Sequence, residues 1–215
     1  IITYGSSLDN EELFRYMAKQ PVPCVFIEGG PDNGNCNRIQ IDNEYGAYEA
    51  TRHLIAQGRK NIIHVTGDMN YTASLERLNG FVRAMRDSHI PITSDSILYA
   101  DFFEESAYRQ ITGLLERDIH PDAVFAGADK TAYGVLRALM NAGISIPGET
   151  AVIGFDDDTP DSRDIIFPGL STMRQPMYEM GCAAVELLLA AIRDPAHQPE
   201  TRCFQPQLIL RDTCK

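Results

Sequence analysis

The sequence predicts an α/β fold in which mostly parallel strands alternate with helices. Two observations carry that expectation. Short apolar runs such as NIIHVT (61–66), AVFA (123–126) and AVIGF (151–155) recur along the chain, and amphipathic segments fill the intervals between them. A third supports it: Gly58 and Gly143 stand where a helix would stop. With 215 residues, 44% of them apolar, the chain is long enough for one large domain or two small lobes with a proper core.

Taken in order, residues 1–4 (IITY) read as a strand, and because no Met opens the chain, as one entered from a preceding segment. Residues 8–20 read as a helix whose Leu13, Phe14 and Met17 form an apolar face behind an Asp9 N-cap. Residues 23–27 are the next strand. The following stretch, EGGPDNGNCN (28–37), is dense in Gly, Asn and Pro and reads as a loop leading to a short strand at 38–41. A helix over 44–57 stops at Gly58, and 61–66 is a strand. The alternation continues with helix 74–88, strand 96–99, helix 104–118, strand 123–126, helix 131–142 and strand 151–155. A short extended segment at 171–173, a helix over 176–193 with Pro176 in its first turn, and extended runs around Phe204 and Leu208 complete the series. Right-handed crossovers are expected throughout.

Composition excludes several function classes. Net charge is −11, from 30 acidic against 19 basic residues, so most of the surface would repel a polyanion and this polypeptide should not grip DNA by itself. The five cysteines are odd in number, scattered and without CxxC spacing, which argues against a disulfide framework or a zinc site. Small buried apolar residues or idle thiols are the simpler reading of them. No stretch approaches the roughly 18 to 20 unbroken apolar residues of a membrane span, and IITYGSSLDN lacks a basic region leading into an apolar one. A cytoplasmic location is expected.

Ligands of open parallel sheets bind beyond the carboxyl ends of the strands, where loops and helix N-termini converge. Here those ends carry Thr3, Glu28, Gly67-Asp68, Asp101-Phe102, Asp129 and Asp156, and Arg77 lies near the start of the helix after strand 61–66. Each has a bland alternative. Asp129 and the later aspartates of the Asp156-Asp157-Asp158 run could cap helices, Arg77 could pair with Glu76 or Glu104, and Phe102 or Phe103 could be core. Together, on one sheet edge, an aromatic face, a guanidinium and several acids suit a polyhydroxylated ring.

Catalysis finds less support. There is no GxSxG, P-loop or dinucleotide fingerprint, and the five histidines show no metal-ligand spacing, so neither catalytic residues, metal nor cofactor is expected. A Mg²⁺ ion at residues 156–158, with Asp129 and Lys130 contributing, is the enzyme alternative.

Four strings carry a resemblance: AYEATRHLIAQGRKNIIHVTG (47–67), LERLNGFVRAM (75–85), PDAVFAGADKTAYGVLRALMNAGISIPGETAVIGFDDD (121–158) and PGLSTMRQPMYEMGCAAVELLLAAI (168–192). In this order, with FQPQLILRDT near the end, nearly the whole chain resembles the effector-binding core of the lactose/galactose repressor (LacI/GalR) family. The resemblance implies a two-lobed periplasmic-binding-protein-like fold of type I, with parallel sheets flanked by helices. It implies residues 1–41 plus 176–204 as an N-terminal lobe, incomplete here, and 42–175 plus 205–215 as a C-terminal lobe.

It also implies a transcriptional repressor that senses a small sugar-like effector in the cleft between the lobes. Homodimers, possibly tetramers, would form through the core, and operator DNA would be read by an N-terminal helix-turn-helix headpiece outside this chain. Carried over by similarity, the effector contacts are Thr3, Glu28, Arg77, Phe102, Asp129, Asp156 and Gln175. Two departures stand out: Ala128-Asp129 replaces a common Asn-Asp pair, and Glu28 stands where a shorter aspartate is usual. Asp157 and Asp158 are expected to be turn and capping residues. A periplasmic sugar-binding protein of the same fold is the alternative function.

Overall fold

A computed structural model describes residues 1–5, 7, 10–30, 36–158, 169–194 and 196–215, with the side chain of Glu11 excepted. By its contacts the chain divides into two compact units: residues 1–42, 70–73 and 176–206 form one, and residues 43–69, 74–175 and 207–215 the other.

The first unit holds strands β1 (Ile2–Tyr4), β2 (Val25–Ile27), β3 (Asn37–Ile41) and β9 (Thr201–Phe204) with helices α1 (Glu11–Ala18) and α6 (Met177–Arg193). Its sheet has the order β1-β2-β3-β9, every pairing parallel. Side chains alternate across the pleat, so Val25, Ile39 and Ile41 pack on Met180, Ala183, Ala184 and Leu187 of α6, while Phe26 faces Phe14 of α1 edge to face at 5.3 Å. β1 is one edge of this sheet and leaves Ile2 and Tyr4 exposed. The expected helix start at Asp9 lies outside the described residues; Asn10 occupies the cap position without a side-chain capping bond.

The second unit is a three-layer sandwich around a sheet of order β10-β8-β7-β6-β4-β5, built from β4 (Ile62–Val65), β5 (Ile97–Leu98), β6 (Ala123–Ala126), β7 (Ala151–Asp156), β8 (Ser171–Arg174) and β10 (Gln207–Ile209). Only β10 runs antiparallel to its neighbour. One face, with Ile63, Val65, Val124, Ala126 and Val152, packs on α4 (Glu104–Leu115) and α5 (Asp129–Asn141). The other, with Ile62, Phe125, Ile153 and Phe155, packs on α2 (Asn43–Ala56) and α3 (Thr72–Asp87), of which Thr72 and Ala73 are assigned to the first unit. Helices on both faces explain the uninterrupted apolar runs, since no side chain of β4 or β6 meets water. Among the described residues no helix is long and apolar enough to cross a membrane.

Candidate functional site

The carboxyl ends of β4 to β8 bring a connected set of polar and aromatic groups together in the second unit. At its centre is Asp156, the last residue of β7, whose Oδ1 accepts a 2.6 Å bond from Gln175 Nε2 and lies 3.5 Å from Arg77 Nη1. Arg77 comes from the first turns of α3 and is almost fully buried. Its Nε donates to Asn43 Oδ1 at 2.9 Å, its Nη1 donates to the Gly127 carbonyl at 2.5 Å, and its guanidinium lies 3.7 Å over the Phe155 ring. Glu76, offered by the sequence as a partner for Arg77, instead accepts a bond from Asn43, and Glu104 pairs with Arg137. The surface-pair reading of Arg77 is thereby overturned: the side chain lies inward against the sheet, not along its own helix.

Phe102 completes the edge. Its ring lies so close over Gly67 that a Cβ there would fall 2.2 Å from Phe102 Cε1, and a Cβ on Gly127 would meet the Gly67 backbone nitrogen at 2.8 Å. These contacts link Phe102 through the two strand-end glycines to Arg77 and Asp156. Phe103 is exposed and opens α4, its N–H bonded to Asp101 Oδ1 at 2.8 Å.

Asp129 does something different from what its position suggested. The sequence offered it as an effector contact, with a helix cap as the alternative; α5 starts at Asp129 itself behind Ala128, and the carboxyl group turns into the protein. Its Oδ1 accepts from the Thr172 hydroxyl at 2.6 Å and its Oδ2 from the Asp158 backbone N–H at 3.0 Å. Gly154 has no Cβ because one would sit 2.3 Å from Asp129 Oδ1. Asp129 therefore braces β7, β8 and the turn after β7.

Burial pushes the Asp129 carboxyl up to about 7; the Thr172 bond opposes that rise and the Asp156 charge adds to it. Burial likewise pushes Asp156 up to about 6, against the pull of the Arg77 charge, the Gln175 bond and the Asp129 backbone N–H. A quarter of the Asp156 side chain remains exposed, and water there limits its rise. Two buried polar atoms at this edge, Gln175 Oε1 and Ser74 Oγ, have no hydrogen-bond partner among the described residues. The Gln175 carbonyl is a fixed acceptor beside a fixed carboxylate, so a group bearing adjacent N–H or O–H donors would satisfy both.

The remaining expected contacts, Thr3 and Glu28, belong to the first unit. Thr3 is the middle residue of β1, paired with Phe26, and not at the strand's end. Glu28 follows β2 with φ +58 and is nearly buried; its Oε1 accepts from the Ile41 N–H at 2.6 Å. Sequence reasoning missed Asn43 and Thr172, which orient Arg77 and Asp129, and read Asp157 as a turn residue. Asp157 instead binds Arg174 Nε at 2.5 Å and Arg211 Nη2 at 2.6 Å. With both its oxygens on guanidinium groups, Asp157 is poorly placed to ligate a cation.

A six-stranded sheet with one antiparallel edge, helices on both faces and a polar edge at its carboxyl ends defines the class: a periplasmic-binding-protein-like α/β domain. Residues 51–214 match the family described as "Periplasmic binding protein-like domain". The HTH-type transcriptional repressor PurR of Actinobacillus pleuropneumoniae is 35% identical over 193 residues, 88% of this chain and 56% of the relative. A LacI family transcriptional regulator from Enterococcus faecium with bound ribose superposes with TM-score 0.84 at 26% identity, covering 99% of this chain and 78% of that one. The lac repressor dimer bound to operator and the anti-inducer ONPF superposes with TM-score 0.78 at 26% identity, covering 89% and 65%. The chain belongs to the LacI/GalR family and represents its effector-binding core. It spans a little over half the length of the PurR repressor it matches.

Proposed function

We propose that this chain is the effector-sensing part of a bacterial, cytoplasmic transcriptional repressor, and that its ligand is a small, neutral, hydroxyl-rich molecule of the sugar class. The observation that carries the reading is Asp156 fixed between Arg77 and Gln175, on the sheet edge where the Phe102 ring covers Gly67. Carboxylate and amide carbonyl accept from neighbouring hydroxyls, the guanidinium offsets the carboxylate charge, and the ring covers an apolar sugar face. Asp129 braces that frame and is proposed as a further contact. Thr3 and Glu28 are proposed as further contacts from the first unit's sheet.

No chemistry is done on the ligand in this reading. Binding acts by differential affinity for two states of the regulator, with a coupling of about 1 to 3 kcal/mol typical of such switches. Homodimers of the whole protein would meet operator DNA through a headpiece outside these residues, and the repressor, ribose-bound and operator-bound relatives support that division of labour.

Calorimetric titration with D-ribose, then with hexoses, sugar acids and nucleobases, tests the site. A ligand from the neutral sugars is expected, with Asp156→Ala and Arg77→Ala each weakening it at least about tenfold, as loss of a charge-assisted hydrogen bond does. If a ligand binds and neither substitution changes its affinity, the site is wrongly assigned.

A further inference from the structure

The turn after β7 is held in a conformation that its residues do not favour. Asp156 has φ +122 and Asp157 has φ +59, so two consecutive non-glycine residues lie in the region that suits glycine. The backbone angle at Asp156 also sets where its carboxyl group points, so its contacts with Arg77 and Gln175 depend on the conformation of the turn. Something must therefore hold the turn.

Three restraints do. The Gln175 N–H donates to the Asp156 carbonyl at 3.2 Å, and the Asp158 N–H donates to Asp129 Oδ2 at 3.0 Å. The third is the Asp157 carboxylate, gripped on one oxygen by Arg174 at the end of β8 and on the other by Arg211 after β10. Arg211 is itself fixed, its Nη1 donating to the Leu170 carbonyl at 2.7 Å and its backbone N–H to the Ser171 hydroxyl at 2.8 Å. Partial burial pushes Asp157 up, but the bonds from the two arginines outweigh it and keep the group ionised below the ordinary carboxylate range.

We propose that Asp157 and Arg211, with Arg174, form a clasp that positions the Asp156 carboxyl group, and that residues near the end of the chain are thereby required for effector recognition. The proposal rests on reading Asp156 as the effector-binding group, but its test does not need the effector. Asp157 and Arg211 touch no ligand in this scheme and act only through the backbone of the turn. Because both arginines are partly exposed, their removal leaves the apolar layers of the unit intact.

The test is a carbon-detected NMR titration of the Asp156 carboxyl group in the full chain, in Asp157→Asn, Arg211→Met and the double variant. The groups facing Asp156 are Arg77, Gln175, the Asp129 backbone N–H and the carboxyl groups of Asp129 and Asp158, and none of them is altered. In the parent chain the midpoint should lie well above that of a free aspartate. Each single variant should return it by at least about one pH unit toward the ordinary value as the carboxyl group swings into water. The double variant should shift no further than the larger single effect, because both act through one clasp.

Amide exchange at Asp158, Gln175 and Asp129 should quicken at least about tenfold, because each of these N–H groups bonds to Asp156 or within its turn, while the amides of β6 and α4 stay unchanged. An Asp156 midpoint that stays put in both single variants overturns the proposal. So does a shift accompanied by equal changes in β6 and α4, which would make the clasp a support for the whole unit. Loss of ligand binding in Asp156→Ala, from the calorimetry above, judges the effector reading separately.

Discussion

At the scale of single residues, two buried ionisable groups pull stability in opposite directions with pH. His64, in the middle of β4, is fully buried between the rings of Phe81 and Phe125, its Nδ1 at 3.0 Å from the Phe125 carbonyl and its Nε2 without a partner among the described residues. Burial lowers its pKa from 6.5 to about 4. Between those values the unfolded chain binds a proton that the folded one refuses, so stability is complete above 6.5 and lost as pH falls toward 4. Asp129 is raised from 3.8 to about 7, so there the folded chain holds the extra proton, and stability is lost as pH rises through that window. Urea unfolding at pH 5 and pH 7 separates the two. Relative to the parent, His64→Phe should gain on the order of 2 kcal/mol more at pH 5 than at pH 7, and Asp129→Asn a similar amount more at pH 7 than at pH 5.

The same scale shows what the sequence could and could not disclose. The placement of Asp156, Phe102 and Asp129 at the carboxyl edge of the sheet was legible because a strand end followed by a helix is a one-dimensional pattern, and the rule for parallel sheets says which end matters. Asn43 and Thr172 were not, since their partners Arg77 and Asp129 stand 34 and 43 residues away and only the packed sheet joins them. The arginine partners of Asp157 were hidden for the same reason: it does lie in a turn, but three adjacent carboxylates look alike until Arg174 and Arg211 are brought to one of them.

At the scale of elements, the apolar runs located the buried strands β6 and β7 to within a residue, because a strand covered on both faces leaves no polar interruption. Helix starts were less legible. Residues 131–142 were expected to be helical, yet α5 begins at Asp129, because the Thr172 and Asp158 contacts let an acid enter the first turn without capping it. Strand order was not legible at all, as nothing local says that β4 lies between β5 and β6.

The α4–α5 pair gives an element-level prediction. A Cβ on Gly134 would fall 2.1 Å from the Glu104 carbonyl oxygen, whereas one on Gly113, also in α4 or α5, would meet nothing within 4 Å. Gly134→Ala must push the helices apart, at about 2 kcal/mol and a melting temperature about 4 to 8 °C lower. Gly113→Ala should be neutral or raise it, since alanine is the better helix former. Thermal unfolding followed by circular dichroism distinguishes them, and equal melting temperatures would refute the close-approach argument.

At the scale of the whole chain, the acid excess bears on DNA binding and the polar sheet edge on the proposed effector. A net charge of −11 predicts that these 215 residues retain no operator duplex in a mobility-shift assay at moderate salt, even at micromolar protein. An effector at a hundred times its dissociation constant should add about 2.7 kcal/mol to unfolding, so a thermal-shift screen can find it before its identity is known.

Parallel pairing of β3 with β9 sets Arg38 against Thr201 and Ile41 against Phe204. On the ribosome, β3 leaves the exit tunnel more than 150 residues before β9 does, a wait of roughly 10 to 30 s at ordinary elongation rates. Throughout that interval one margin of a nascent strand that alternates polar residues with Ile39 and Ile41 has no mate. Interrupted translation, more than any point substitution, is therefore the event most apt to send this polypeptide to chaperones or into aggregates.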